Sequence, residues 1–285
     1  MSRASRTSAN AGRIKYTSVS IDDGASDHLT QLKSMLEDGR NKIWLMSGAG
    51  ASVTTGIPGY DEHSRKKMRF GTKTDFKALN VAITPMVAAL AQPPPMKPFY
   101  LFLRDKQDFI YECVTLNIDN LSSVVVPSTR ELHGSVYTII HSEGRQGCTA
   151  TCDPESYFTA ILRDPKTVQC DSCKKALRPE AVMYDDDPLY PRLFMKNRDL
   201  LGDPFASEAI THVVAVFVGL SFITVSAQKI LAKAYEAAEN AKIHSTIYIV
   251  NTTEETIEKP KPNTSRVKVV HLLMSADDFG DFLLA

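Results

Sequence analysis

The chain has 285 residues, 43% of them apolar and 23% charged, enough to bury a sizeable core in one large domain or two modest ones. Its 33 basic and 33 acidic residues cancel, which argues against a broad nucleic-acid footprint. No apolar run reaches the ~20 residues of a membrane-spanning helix, so no membrane partner is expected.

Residues 1–24 open with Arg3, Arg6, Arg13, Lys15 and several serines. Organelle transit peptides share that composition, but the segment reads as a disordered tail. Leu29, Leu32, Met35 and Leu36 recur at helical spacing over 25–40. Ile43 to Met46 reads as a buried strand that delivers the chain into Gly48-Ala49-Gly50-Ala51-Ser52-Val53-Thr54-Thr55-Gly56-Ile57-Pro58. Two glycines one residue apart allow a sharp turn and a close approach of backbone N–H groups to a pyrophosphate. The third glycine comes two residues later than in G-x-G-x-x-G, so a dinucleotide site and a ligand-free tight turn both remain open at this point.

From 60 to 98 the pattern is polar, then helical (Phe76, Leu79, Val81), then broken by prolines, which suggests an inserted lobe. The basic cluster Arg65-Lys66-Lys67 with Arg69 reads as a solvated loop. A short helix over 99–105 leads to a strand over 109–115, in which Cys113 is a small buried residue. Thr115-Leu116-Asn117-Ile118-Asp119 closes that strand, where open α/β sheets bind ligands, and Glu131-Leu132-His133-Gly134 follows.

Cys148 and Cys152, then Cys170 and Cys173, form two close pairs with seventeen residues between them. That is the layout of a four-thiolate structural zinc site, with reduced, metal-free thiols as the alternative. Residues 141–204 show no long periodic element and read as a small metal-stapled lobe. Val213–Val218 and Ile247–Val250 are continuous apolar strands on either side of a helix over 227–241. A further strand is expected over 267–273 and a helix over 276–284. Unbroken apolar strands alternating with helices imply a parallel sheet covered on both faces. The expected fold is α/β: a Rossmann-like lobe from 25–140 and 205–285, with a smaller zinc-binding lobe inserted at 141–204.

In this order, the glycine loop through Gly56-Ile57-Pro58, Asn117-Ile118-Asp119, His133-Gly134, the two cysteine pairs, Leu177-Arg178-Pro179 and Gly219-Leu220-Ser221 resemble the sirtuin family over about 42–251. The resemblance implies a protein-lysine deacylase that consumes NAD as co-substrate and carries one structural zinc. In that chemistry the acyl oxygen attacks the nicotinamide ribose as nicotinamide leaves, and the products are free lysine and O-acyl-ADP-ribose. Cofactor contacts would come from Gly48, Ala49, Gly50, Ser52, Gly56, Ile57, Pro58, Tyr60, Asn117, Ile118, Asp119, Gly219, Ser221 and Asn251. His133 matches the histidine that takes a proton from a ribose hydroxyl, a role suited to an imidazole titrating near neutrality. Asn117 and Asp119 match residues that hold the nicotinamide ribose and carboxamide, although both residue types also stabilise Asx-turns. Cys148, Cys152, Cys170 and Cys173 match the zinc ligands.

The expected partner is an acyl-lysine protein or peptide, histones among the candidates, in the nucleus or cytoplasm, with the mitochondrion as the alternative. The chain departs from the family at Gly59-Tyr60-Asp61, Leu116, Leu220 and Tyr184-Asp185-Asp186. Those departures keep two other readings in view: ADP-ribosyl transfer, NAD hydrolysis or small-molecule modification on the same fold, and a catalytically weak NAD-binding scaffold.

Overall fold

The computed structural model describes residues 17–20, 25–38, 41–59, 76–92, 95–141, 148, 150–181, 212–222, 225–241, 244–253 and 267–285. Tyr60, Asp61, Arg65, Arg69 and the run Tyr184-Asp185-Asp186 therefore lie outside the described residues, and so does most of the second half of the expected small lobe.

Seven strands, all parallel, form one sheet in the order β1-β9-β8-β7-β2-β3-β4. They are β1 (Thr17–Ser20), β2 (Lys42–Ser47), β3 (Ile110–Thr115), β4 (Arg130–Glu131), β7 (His212–Val218), β8 (His244–Asn251) and β9 (Val267–Leu273). Side chains of a strand alternate between faces, so the apolar runs feed two cores. On one face Leu45, Val216, Tyr248 and Val270 pack with α1 (Ala25–Glu37), α3 (Pro98–Asp105) and α7 (Ala276–Leu284). On the other, Trp44, Met46, Phe217 and Ile249 pack with α6 (Val225–Ala241). The α/β sheet covered on both faces is thus as expected.

Thr17–Ser20 falls within the segment read as a tail, yet it pairs in parallel with Val270–Leu273 as an edge strand. Four residues at a sheet edge carry too little apolar periodicity to stand out in a sequence.

The smaller lobe differs from its expected outline. Gly134–His141 (β5) and Leu177–Ala181 (β6) pair antiparallel as a separate two-stranded sheet. Between them lies the ten-residue helix α5 (Pro154–Arg163), in a segment whose sequence shows no long periodic element. Asp153 caps that helix by accepting from the Ser156 amide at 2.9 Å, with Pro154 in its first turn, a sequence signature of a helix start. Helix α2 (Phe76–Leu90) belongs to this lobe as well: Leu79, Ile83, Val87 and Leu90 join Val136, Tyr157, Phe158 and Ile161 in one core. Tyr157 Oη donates to Asn80 Oδ1 at 2.7 Å and Asn80 Nδ2 donates to the Leu177 carbonyl at 3.1 Å, which ties α5, α2 and β6 together. Val81, part of the helical pattern, is 43% exposed, and the buried stripe of α2 runs through Leu79 and Ile83.

Strand order reverses at β2, whose neighbours are β3 on one side and β7 on the other. The carboxyl ends of β2, β3, β7 and β8 deliver Gly48, Leu116, Gly219 and Asn251 to this switch point, where open α/β sheets carry their ligands.

Candidate active site

The glycine loop leaves β2 through two single turns of 3-10 helix, Ala49–Ala51 and Val53–Thr55, and is clamped to the end of β7. Gly48 N donates to the Val218 carbonyl and Gly50 N to the Gly219 carbonyl, both at 2.9 Å. The amides of Ala51, Ser52, Thr55 and Gly56 close turns within the loop. The amides expected to face a pyrophosphate are thus largely engaged inside the protein. What the loop leaves open is its rim: Gly56 has φ +86°, and nothing stands within 4 Å of where its Cβ would be.

Beneath the loop the sequence-predicted residues converge on the Ser52 hydroxyl. Ser52 Oγ donates to Asp119 Oδ2 at 2.6 Å, accepts from Asn117 Nδ2 at 2.9 Å and lies 2.7 Å from Tyr100 Oη. Asn117 Nδ2 also donates to the Gly48 carbonyl at 3.0 Å, and Asp119 Oδ1 accepts from the Leu121 amide at 3.0 Å. Both amide hydrogens of Asn117 and both oxygens of Asp119 therefore have partners, and the second bond is an Asx-turn at the start of α4 (Leu121–Val125). Burial pushes the Asp119 carboxyl up, against the opposing hydrogen bonds from Ser52 and the Leu121 amide. Tyr100, whose ordinary helix sequence gave no hint of a role, is the member that sequence reasoning missed.

His133 stands at the β4–β5 turn, half-buried, and hydrogen-bonds the Leu116 backbone. Leu116 is itself fixed, since its amide donates to the Ser47 carbonyl at 3.0 Å. Leu116 thus orients the imidazole through its main chain, while its side chain packs against the core around Phe217 and Phe222. Burial pulls the His133 imidazole down to about 4, with the Leu116 hydrogen bond opposing. Burial thus favours the neutral imidazole over the imidazolium. A neutral ring accepts a proton, as a general base must.

Of the remaining expected residues, Asn251 is buried and donates through Nδ2 to the Leu220 carbonyl at 2.9 Å, bracing the β7 exit. Ser221 is half-buried on that exit, Ile57 is buried in the smaller lobe's core, and Pro58 is exposed. The open rim at Gly56, the neutral imidazole and the carboxylate at the switch point fit NAD.

A second cluster lies in the smaller lobe. One ligand atom each from His141, Cys148, Cys170 and Cys173 lie within 4.8 Å of one another. Cys148 Sγ and Cys170 Sγ are 3.9 Å apart. The Cys173 backbone amide, and after it the adjoining His141 ring, hold the Cys170 thiol down to about 6. His141 is 5% exposed, and neither ring nitrogen meets a partner in full hydrogen-bond geometry. Buried polar atoms left without such partners beside three thiols are what a metal would satisfy, and a Cys3His set fits a structural zinc.

This set differs from the expected four thiolates in holding His141 where Cys152 was expected. Cys152 directly precedes the α5 cap, and its Sγ turns to the Asp153 carbonyl at 3.7 Å. His141 ends β5 opposite Leu177, which brings its ring onto the Cys170–Cys173 knuckle. A histidine at the edge of a cysteine-rich segment was the available signal.

Comparison with known proteins agrees with this geometry. A model described as the Sir2 family matches residues 48–200. The chain is 26% identical over 198 residues to the NAD-dependent protein deacetylase hst2 of Schizosaccharomyces pombe, covering 61% of this chain and 56% of that one. It is 24% identical over 181 residues to the NAD-dependent protein deacetylase 2 of Caldanaerobacter subterraneus subsp. tengcongensis, covering 56% of this chain and 68% of that one. The match thus spans little more than half the length of hst2. Among solved structures, Sir2Tm bound to a propionylated peptide superposes with a TM-score of 0.62 at 16% identity, covering 90% of this chain and 97% of that one. A Sir2–p53 peptide–NAD+ complex gives 0.60 at 15% identity, with the same coverage. At these identities the structural likeness is one of fold.

Proposed function

The chain belongs to the Sir2 family, whose model matches more than half of it, and on that premise we propose that it is an NAD-dependent protein-lysine deacylase. The observation that carries the reading is His133: a half-buried imidazole that burial keeps neutral, held by the Leu116 main chain just past the carboxyl end of β4. NAD held along this loop would supply an ADP-ribosyl acceptor for the acyl oxygen, with nicotinamide as the leaving group.

The chain's own residues do the rest. The Gly48–Val218 and Gly50–Gly219 clamp fixes the loop against which the dinucleotide would lie, and Asn117 holds that loop through the Gly48 carbonyl. Asp119 presents a carboxylate whose position is set by Ser52 and by the Leu121 amide, suited to accepting hydrogen bonds from a carboxamide or ribose hydroxyl. His133 Nε2 or Nδ1, whichever is not bonded to Leu116, accepts the hydroxyl proton. A zinc held by Cys148, Cys170, Cys173 and His141 would supply no chemistry to the reaction, since four protein ligands leave no open position. It would staple β5 to the 170–173 knuckle beside the lobe's own core.

The acceptor is an acyl-lysine peptide or protein. Nicotinamide release tests this directly: it should require an acyl-lysine peptide and fall to background without one. Release that proceeds equally without the peptide would replace deacylation by NAD hydrolysis, and tight NAD binding with no release under either condition would leave a scaffold.

A further inference from the structure

The polar network under the glycine loop continues past Ser52, and its continuation has a direction. The Ser52 hydroxyl has one hydrogen and two lone pairs. The hydrogen goes to Asp119 and one lone pair takes the Asn117 amide, so the remaining lone pair faces Tyr100 Oη at 2.7 Å. Tyr100 must therefore donate to Ser52. The Tyr100 hydroxyl also lies beside Ser122, whose Oγ is 3.3 Å from Ser47 Oγ. Ser47 Oγ is engaged further along, donating to Thr115 Oγ1 at 2.9 Å. Ser47, Ser52, Tyr100, Thr115 and Ser122 are all buried, Tyr100 at 1% exposure. A buried run Tyr100 → Ser52 → Asp119 thus aligns two O–H dipoles toward one carboxylate, in surroundings where such alignment is cooperative, while the Ser122 hydrogen turns to Ser47.

We propose that Tyr100 is a positioning residue that links Asp119 to this buried hydroxyl run and fixes the Ser52 proton on its carboxylate, so that Asp119 remains a hydrogen-bond acceptor for bound NAD. The proposal rests on the NAD-dependent reading of the site given above. It explains why α3 is seated so deeply. Phe99, Phe102 and Leu103, the neighbours of Tyr100 on this helix, are fully buried, and Phe102 packs edge-on against Phe279 of α7 with ring centroids 5.8 Å apart. That packing leaves the Tyr100 ring no freedom to swing away. Among the described residues, the titratable groups that face Asp119 are Tyr100 of α3, Glu131 of β4 and Tyr137 of β5, and Cys113 of β3 faces Tyr100 in turn. None of these is a cation, so the Ser52 hydroxyl, which Tyr100 orients, and the Leu121 and Asp119 amides are what stabilise the negative charge.

The test is Tyr100→Phe, which keeps the ring and removes only the hydroxyl, with Ser122→Ala as the control that removes a neighbouring buried hydroxyl pointing to Ser47. NAD affinity is measured calorimetrically across pH, and the Asp119 carboxyl is followed by carbon NMR in the ligand-free protein. In Tyr100→Phe the midpoint at which Asp119 takes up a proton should rise by about one pH unit, making NAD binding about tenfold weaker on the acid side and nearly unchanged above it. Ser122→Ala should leave both near wild type. Affinity lost by one constant factor at every pH, or an Asp119 midpoint unmoved in Tyr100→Phe or moved as far in Ser122→Ala, would overturn the proposal. Neither readout needs turnover, so a wild-type protein that binds NAD yet deacylates no peptide would defeat the deacylase reading alone.

Discussion

Replacing Gly219 by alanine should break the clamp on which the site depends. Gly219 has φ +62°, a left-handed conformation that costs an L-residue about 1 kcal/mol. Its added Cβ would also meet the backbone of the glycine loop: Ala51 N, Gly50 C at 2.6 Å and Gly50 Cα at 2.8 Å. These are main-chain atoms, unable to rotate away, so the loop must lift and the Gly50–Gly219 hydrogen bond must stretch. Overpacking of this kind costs about 1–3 kcal/mol, which with the backbone term gives ~2–4 kcal/mol. For a chain of this size that is a fall in melting temperature of roughly 4–7 °C. Gly56→Ala is the comparison, since it carries the same backbone term at φ +86° with no atom near the new methyl. Thermal and urea unfolding of the two variants, with NAD titrated into each, separates the clash from the conformational cost. Equal, small losses in both variants would refute the clamp.

Three further outcomes follow from particular side chains. His133 has a folded-state titration near 4 against an ordinary 6.5, so the unfolded chain binds more protons between those values. Stability from this residue is complete above 6.5 and is lost as pH falls toward 4, by about 1–3 kcal/mol, and a urea midpoint that declines over this window in the wild type should decline less in His133→Asn. Metal analysis should find one zinc per chain in Cys152→Ala and a substoichiometric amount in His141→Ala and Cys148→Ala; full loading of His141→Ala with loss in Cys152→Ala would return the fourth position to the cysteine. Tyr157→Phe leaves Asn80 Oδ1 buried without its donor and should cost about 1–3 kcal/mol in chemical denaturation, while an unchanged midpoint would mean that water replaces the hydroxyl.

The sequence reveals those parts of the fold whose burial is extreme. Val213–Val218 and Ile247–Val250 lie in central strands packed on both faces, and their unbroken apolar runs say so directly. Close cysteine pairs announce a metal lobe because few other contexts place thiols so near each other. The lobe's own frame is harder to see. Leu177-Arg178-Pro179-Glu180-Ala181 neither alternates nor favours strand residues, and it pairs with β5 only because α2 and α5 close a core beneath it. Asn117 and Asp119 were legible as polar groups at a strand end. That both are already engaged with Gly48, Ser52 and Leu121 depends on how the loop folds back, which no local pattern encodes. Tyr100 was invisible for the same reason, since a tyrosine in an apolar helix looks like core until its hydroxyl is found against Ser52. His141 and Cys152 exchange places because one ends a strand and the other precedes a helix cap, a difference of a few residues in element boundaries.

The most direct measurement is mass spectrometry of the products formed from NAD and an acetyl-lysine peptide. A deacylase acting through His133 should yield free lysine peptide, nicotinamide and O-acetyl-ADP-ribose in equal amounts, and His133→Ala should abolish all three while still binding NAD. Plain ADP-ribose with the peptide left acetylated, or undiminished deacetylation by His133→Ala, would contradict it.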